Sequence, residues 1–343
     1  MQQSSLSSQL HNVADAYEAI ELYYEKGWTD GLPVVPPTEA RVVEFLNACG
    51  KQPNDAIGVV PTRGRAITAE KIAVNAVMAG CKPEYMPVLI AIIEAMTDPP
   101  FNYHGCLAST MGSAVMIVVN GPIAKDLGFN SGVNVFGPGF RANATVGRAV
   151  RLIIINVTDG TPGLLDKATL GHGGKYSMCI AENEDASPWE PLHVQRGLSP
   201  TDSAVSVFAV LAPLQISDMG SNTPQAYLDN IGHSMSIFPP RVGEFLVVLP
   251  PEAIGVFKDA GWTKRQSMEY LAEHAMVSPA LVNRSPTGAA DPHAGGDGPV
   301  PVLSSPDNLY FIVAGGDAGG FVDLILPWAA GHISKGVTKP ISV

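Results

Sequence analysis

Ala114-Val115-Met116-Ile117-Val118-Val119 is an unbroken apolar run, rich in β-branched side chains and free of polar alternation. A strand with one wet face alternates polar and apolar residues. A run that does not alternate reads as a strand buried on both faces. Such a strand needs a layer of helix or sheet over each face, and this places the chain in the α/β class. Polar, glycine-bearing loops flank the run. Tyr103-His104-Gly105-Cys106 and Ala108-Ser109-Thr110 precede it, and Gly137-Pro138-Gly139-Phe140-Arg141-Ala142-Asn143 follows it.

Working outward, the pattern alternates helix and strand. Val13 to Lys26 carries apolar residues at helical spacing and stops at Gly27. Thr38 caps a helix over Glu39 to Ala48, and Thr68 precedes another that ends before Gly80. Ile57 to Val60 reads as a strand, and Glu84 to Met96 as a buried helix with Pro87 in its first turn. Asn143 to Ile155 begins as a helix and merges into the apolar run Leu152 to Val157. Later, Val205 to Leu211, Phe245 to Leu249 and Leu309 to Ala314 read as strands, and Pro251 to Ala260 and Thr263 to Ala275 as helices. The last of those strands runs into Gly315-Gly316-Asp317-Ala318-Gly319-Gly320, and Arg284 to Ser305, with His293, reads as a long loop. The expected architecture is α/β in two similar halves, each a mostly parallel sheet flanked by helices. Residues 1–198 form an N-terminal domain carrying most of the candidate site, and residues 199–343 a C-terminal one. One echo links the halves: Gly27-Trp28-Thr29 and Gly261-Trp262-Thr263 each lie between two helices.

Composition narrows the function. Hydrophobic residues make up 46% of the 343 and charged residues only 15%, which indicates a large core rather than disorder. A net charge of −11 argues against a nucleic-acid partner, which needs a basic face. The 4 cysteines, Cys49, Cys81, Cys106 and Cys179, form no CxxC pair and have no metal-ligand spacing, so a reducing cytoplasm is expected. The first ten residues lack a signal-peptide pattern, and the apolar stretches are too short to span a bilayer.

The site chemistry concentrates between Phe101 and Arg196. At Gly137, Gly139, Arg141 and Asn143, free helix-start amides, the helix dipole and a guanidinium would together suit a carboxylate or phosphate. A plainer reading makes Asn143 only the helix cap. Arg63 and Arg65 would add positive charge to the same anion site. His104 is read as catalytic; Cys106 is either the nucleophile it would serve as base or, the favoured reading, a small buried hydrophobe, and Ser109 and Thr110 are alternative hydroxyl nucleophiles or donors to a substrate. His172, flanked by glycines, and Lys175 are read as substrate-binding. Glu182, Glu184 and His193 supply acid–base groups. Glu190-x-x-His193 has the spacing of metal ligands, for which a divalent ion such as Zn, Fe or Mn is suited, although Pro188 and Pro191 oppose a regular helix there. Trp189 is expected to anchor this loop against the Gly137 to Asn143 turn and His104, closing a single pocket.

The motifs Gly27-Trp28-Thr29-Asp30-Gly31-Leu32-Pro33-Val34-Val35-Pro36-Pro37, Ala79-Gly80-Cys81-Lys82-Pro83-Glu84-Tyr85 and Asn120-Gly121-Pro122 resemble a bacterial family labelled UGSC-type (seleno)proteins. So do the GPGFRANAT and ENEDASPWEPLHVQRG runs, and the resemblance covers most of the chain. That family is distantly similar to the substrate-binding proteins of glycine and proline reductases. The resemblance implies an enzyme with the α/β fold. The Cys-Gly-Ser-Cys redox motif is absent here; Gly105-Cys106-Leu107-Ala108-Ser109 is the nearest text. The expected function is a soluble enzyme acting on a small anionic molecule, by lyase or reductive cleavage chemistry. The alternatives are a metal-dependent hydrolase using Glu182, Glu190 and His193, and a non-catalytic small-molecule-binding subunit of a reductase complex. A homo-oligomer and a redox partner protein are the expected associations.

Overall fold

In a computed structural model, which describes residues 6–237, 243–278 and 298–342, the Ala114 run is a strand with all of its residues buried. The elements in chain order begin with α1 (Ala16–Lys26), α2 (Glu39–Cys49), β1 (Ala56–Val60), β2 (Arg65–Thr68), α3 (Ala69–Ala79), α4 (Met86–Thr97) and α5 (Tyr103–Leu107). Then come β3 (Ala114–Asn120), α6 (Pro122–Asp126), α7 (Arg141–Thr158), β4 (Cys179–Ala181), α8 (Leu192–Gln195) and β5 (Ala204–Ser217). They end with α9 (Pro224–Met235), β6 (Phe245–Leu249), α10 (Pro251–Asp259), α11 (Lys264–His274), β7 (Met276–Val277), β8 (Val300–Pro301), β9 (Leu309–Val313), β10 (Phe321–Pro327) and β11 (Val337–Pro340).

The α/β class stands, but the two halves do not each build a mostly parallel sheet. One 7-stranded sheet runs in the order β4-β3-β5-β10-β6-β9, with β11 also paired to β5. Among the described residues only β3 with β4 and β6 with β9 are parallel in this sheet, while β5 and β10 join the two pairs through antiparallel ladders. The expected boundary at 198/199 therefore falls between strands of one sheet. β5 is the reason. At 14 residues it is long enough to carry β3 along one edge, and β11 and β10 in succession along the other.

Side-chain alternation then makes four layers. Val115, Ile117 and Val119 of β3 pack with α3, α4 and α7, while Met116 and Val118 point the other way. There they meet Leu246 and Val248 of β6 and Ile312 of β9, from the far wing of the same sheet. The opposite sides of those strands, Val247 and Phe311 among them, pack on α9, α10 and α11. The sheet is curled so that its wings face each other across an inner core, with helices outside each wing. Each of these fully buried aliphatic side chains contributes roughly 1.5–3 kcal/mol of burial, which outweighs local strand or helix preference. The carboxyl ends of β4 and β9 meet at one corner, where Asn183 N–H donates to Val313 O at 2.7 Å and Gly315 N–H to Ser131 O at 2.9 Å.

Local chemistry sets the helix ends. Asp15, Thr38, Thr68 and Thr263 accept first-turn amides, Thr263 in a capping box with Gln266. The Leu152–Val157 run belongs to α7, which is one continuous helix from Arg141. His293 and most of the expected 284–305 loop lie outside the described residues. Among the described residues no helix is long and apolar enough to cross a membrane.

Candidate functional site

β3 ends in Asn120, a buried amide closing an otherwise apolar strand. Its Nδ2 donates to Glu182 Oε2 at 2.7 Å and to Glu184 Oε1 at 3.0 Å, so one side chain bridges two carboxylates. Both glutamates follow β4, the parallel neighbour of β3. Gly121 N–H donates to the same Glu184 oxygen at 2.7 Å. Gly121 has φ 82°, and a Cβ there would overlap the Asp202 carbonyl, so the amide can reach Glu184 only from a glycine.

The two carboxylates have different surroundings. Glu182 is sealed, with Oε2 also accepting Leu192 N–H at 2.8 Å. Burial raises its pKa, against the pull of Lys264, the Leu192 amide and Asn120. Lys264, in the first turn of α11, is itself buried; desolvation lowers its pKa, opposed by Glu182 and Glu190, and its Nζ donates to Glu190 O at 3.0 Å. Glu184 keeps 26% of its side chain exposed, and its Oε1 lies 3.9 Å from Nδ1 of a fully buried His193. Neither ring nitrogen of His193 has a hydrogen-bond partner among the described residues, and neither does Asn120 Oδ1. The loop carrying these groups is anchored by Trp189. Its Nε1 donates to Trp262 O at 2.8 Å, and its ring meets Phe257 and Phe311 with centroids 5.5 Å apart in each case.

His104, Ser109, Thr110, His172 and Lys175 lie elsewhere, at the amino end of β3. Lys175 Nζ donates to Ser113 O at 3.1 Å and pairs with the buried Asp166 at 2.8 Å; the same aspartate meets Arg151 at 3.5 Å. Cys106 Sγ sits 2.8 Å from Ser113 Oγ, and burial pushes its thiol up to about 11. His172 takes Gly174 N–H on Nδ1 at 3.2 Å, and burial lowers its pKa. His104 Nδ1 is buried without a partner among the described residues. Ser109 Oγ accepts Trp328 Nε1 at 2.9 Å, and Thr110 is exposed with its carbonyl on Thr169 N–H at 2.9 Å. At a rise of roughly 3.3 Å per residue, the ends of β3 are about 20 Å apart. The single pocket expected from sequence is thus two clusters. Nearness in sequence to one strand does not choose which of its ends a loop occupies.

The Gly137 to Asn143 turn serves structure. Arg141 Nε donates to Gly80 O at 3.0 Å and Nη2 to Cys81 O at 3.3 Å, just past α3, so these guanidinium donors hold backbone rather than an anion at the corner. Phe140 is the N-cap of α7. Asn143 lies inside the helix and clasps Asn130, accepting its N–H at 2.7 Å and donating to its carbonyl at 2.9 Å. Asn130 O in turn accepts Ala181 N–H at 3.2 Å, which brings this loop to the corner. A Cβ on Gly137 would overlap Asn134, and Gly139 has φ 118° beside it. Arg63 and Arg65 both face Asp159, at 3.6 and 2.9 Å, and not the turn. Glu190 is exposed while His193 is sealed, so the expected metal pair is not formed. Among the described residues, no group of three or more His, Cys, Asp or Glu side chains is placed to hold a metal ion.

Sequence reading missed Asn120 and Lys264 as site residues. A polar residue closing an apolar strand was the available signal for Asn120, whereas a lysine in a helix's first turn carries none. The corner is read from its own geometry, because the chain matches no family model, no curated protein and no solved structure.

Proposed function

We propose that the chain is an enzyme that moves a proton on a small anionic molecule bound at the corner where β3, β4 and β9 end. One observation carries this reading. Glu184 reaches solvent while its Oε1 is fixed by Asn120 and Gly121, 3.9 Å from a sealed His193 with no partner for either ring nitrogen among the described residues. A positioned carboxylate backed by an imidazole is equipped for general base catalysis. Glu184 takes a proton from a carbon next to a carbonyl or carboxylate and releases it to solvent, which its side chain reaches, while His193 stands 3.9 Å behind its Oε1. Glu182, held toward its protonated form by burial, keeps Asn120 oriented. Arg141 is committed to Gly80 and Cys81 and takes no part in this step. The elimination step of a lyase begins with this proton transfer, which favours it over thiol chemistry: the Cys106 thiol is sealed, and none of the cysteines is paired. The sequence motifs that resemble UGSC-type proteins imply an enzyme, and this reading keeps that expectation.

The test is deuterium exchange. The wild-type chain, incubated in D2O with a panel of small 2-hydroxy, 2-oxo and 2-amino acids, should wash deuterium into the 2- or 3-position of at least one. Glu184→Gln should slow that exchange by about 100-fold or more, the usual contribution of a general base. Exchange by the variant at the wild-type rate, or none with any compound in the panel, would count against the proposal.

A further inference from the structure

Residues 6–13 lie across the body of the molecule ahead of α1 without joining it by main chain. Among the described residues, no main-chain to main-chain hydrogen bond ties them down. Apolar burial does little more. Leu6 is half-buried against the core, but Leu10 leaves 72% of its surface exposed and Val13 37%. Beneath this segment is a cavity of about 920 Å³, bounded also by α1, α2, β2, α3 and the end of α7. Its wall mixes rings with charge: Trp28 and Tyr23 stand beside Glu39, Arg65, Lys71 and Asp159.

One side chain fastens the segment. Glu70, in the first turn of α3, is 0% exposed. Its Oε2 accepts the Ser7 N–H at 2.9 Å and the Ser7 hydroxyl at 2.8 Å. Its Oε1 accepts the Ser8 N–H at 2.7 Å and the Ser8 hydroxyl, and shares the Ser7 N–H at 3.1 Å. Four donors from two adjacent residues thus converge on one carboxylate, and bonds to an ionised acceptor are roughly twice as strong as neutral ones. The other ties are single contacts. Lys71 Nζ donates to Ser8 Oγ at 3.0 Å, and the His11 ring meets Trp28 edge-on with centroids 5.4 Å apart.

The fastening depends on the charge of Glu70. Around the same cavity stand Tyr23 of α1, Glu39 of α2, Arg65 of β2, Lys71 of α3, Asp159 at the end of α7 and His11 of the segment itself, with Asp159 already paired to Arg65. Burial opposes ionisation of Glu70, but the hydrogen bonds from Ser8 and Ser7 outweigh it and hold the pKa below the ordinary glutamate value. A proton on either oxygen turns that oxygen into a donor, and at least one of the four serine donors must then leave. The sign follows: the closed arrangement is favoured above the ordinary glutamate range and is lost as pH falls through the depressed value.

We propose that residues 6–13 form a strap latched by the Glu70 carboxylate, which opens as a unit when the latch is broken and turns the cavity beneath it into an open groove. A segment with few buried contacts opens locally at far lower cost than the whole fold, and here that cost rests on one side chain. Hydrogen exchange on the full chain, followed by NMR at pH 7, should find the Ser7 and Ser8 amides protected. Glu70→Gln keeps the shape but replaces one acceptor oxygen with a donor. It should cut the protection of these two amides by about tenfold or more, shift the ring resonances of Trp28, and leave the amides of α3 from Ile72 to Met78 as protected as before. On the unmodified chain, acidification should release Ser7 and Ser8 and move Trp28 in step with the Glu70 carboxyl resonance while α3 stays protected, which decides the matter even should the variant not fold. Protection of Ser7 and Ser8 retained in the variant or in acid, a loss shared equally by α3, or an unmoved Trp28 ring would overturn the proposal.

Discussion

Asp30 lies two residues beyond Trp28 with its side chain only 2% exposed, and Arg148 of α7 grips both its oxygens at 2.8 and 2.9 Å. The same guanidinium donates to Leu32 O and Pro33 O, so one arginine fixes the whole proline-punctuated segment to the helix. Burial of the Asp30 carboxyl opposes ionisation, but the hydrogen bonds and charge of Arg148 outweigh it and hold the pKa below the usual carboxylate value. The sign follows: a group depressed in the folded state stabilises it above the ordinary carboxylate range, and that stability is lost as pH falls through the folded value. Urea unfolding at pH 7 and in the acid range should therefore show a steeper loss for wild type than for Asp30→Asn; parallel losses would show that the pair is inert. Arg148→Lys keeps the charge but not the fork, and should cost about 1.5–3 kcal/mol. Sequence inspection registers Asp30 only within the Gly27 to Pro37 stretch that resembles UGSC-type proteins, because its partner lies 118 residues away.

The Gly-Trp-Thr echo has an explanation at the level of elements. After α1, Gly27 N–H bonds Tyr24 O at 3.1 Å and Trp28 N–H bonds Tyr23 O at 2.9 Å. After α10, Gly261 N–H bonds Lys258 O at 3.0 Å and Trp262 N–H bonds Phe257 O at 2.9 Å. Both are Schellman endings, with glycine in the left-handed region at φ 68° and 69°. The repeat is thus two helices stopping by one rule, and it requires no duplicated domain. α3 ends in a similar way and then relies on Arg141 to cover the carbonyls of Gly80 and Cys81. Arg141→Ala should lower the denaturant midpoint by the equivalent of about 0.5–1.5 kcal/mol with an unchanged slope; an unmoved midpoint would show that these bonds add nothing. Most elements were legible because caps and periodicity are local. The Leu152–Val157 run was not, since a short apolar stretch fits a buried helix as well as a strand, and only its packing inside α7 decides. The site was half legible. Glu182, Glu184 and His193 do gather, but which end of β3 each loop occupies depends on contacts that no local pattern encodes.

Across the whole molecule, the sheet passes without a break from the first half of the chain to the second, and the inner core draws Met116 and Phe208 from one wing and Leu246 and Ile312 from the other. Neither wing can bury its inner face alone. Unfolding should therefore be a single cooperative transition, with far-ultraviolet circular dichroism and tryptophan fluorescence giving coincident curves, and separate pieces 1–198 and 199–343 should each fail to give native-like dispersion in NMR spectra. Two resolved transitions, or one folded piece, would mean that the wings are independent. The expectation of two mostly parallel sheets missed this because strand partners cannot be read from strand content, and the antiparallel bridges through β5 and β10 are long-range choices. β5 also limits how a lineage of such chains can vary. Its residues 204–210 are in register with β3, and residues 213–217 with β10, the β10 register shifting between Pro213 and Val210. One residue inserted near Pro213 would turn every later side chain of the strand to the opposite face while leaving the earlier ones in place. A change of length in this chain is therefore borne more easily by a surface loop than by β5, whose two ends serve as the ruler against which the wings are set.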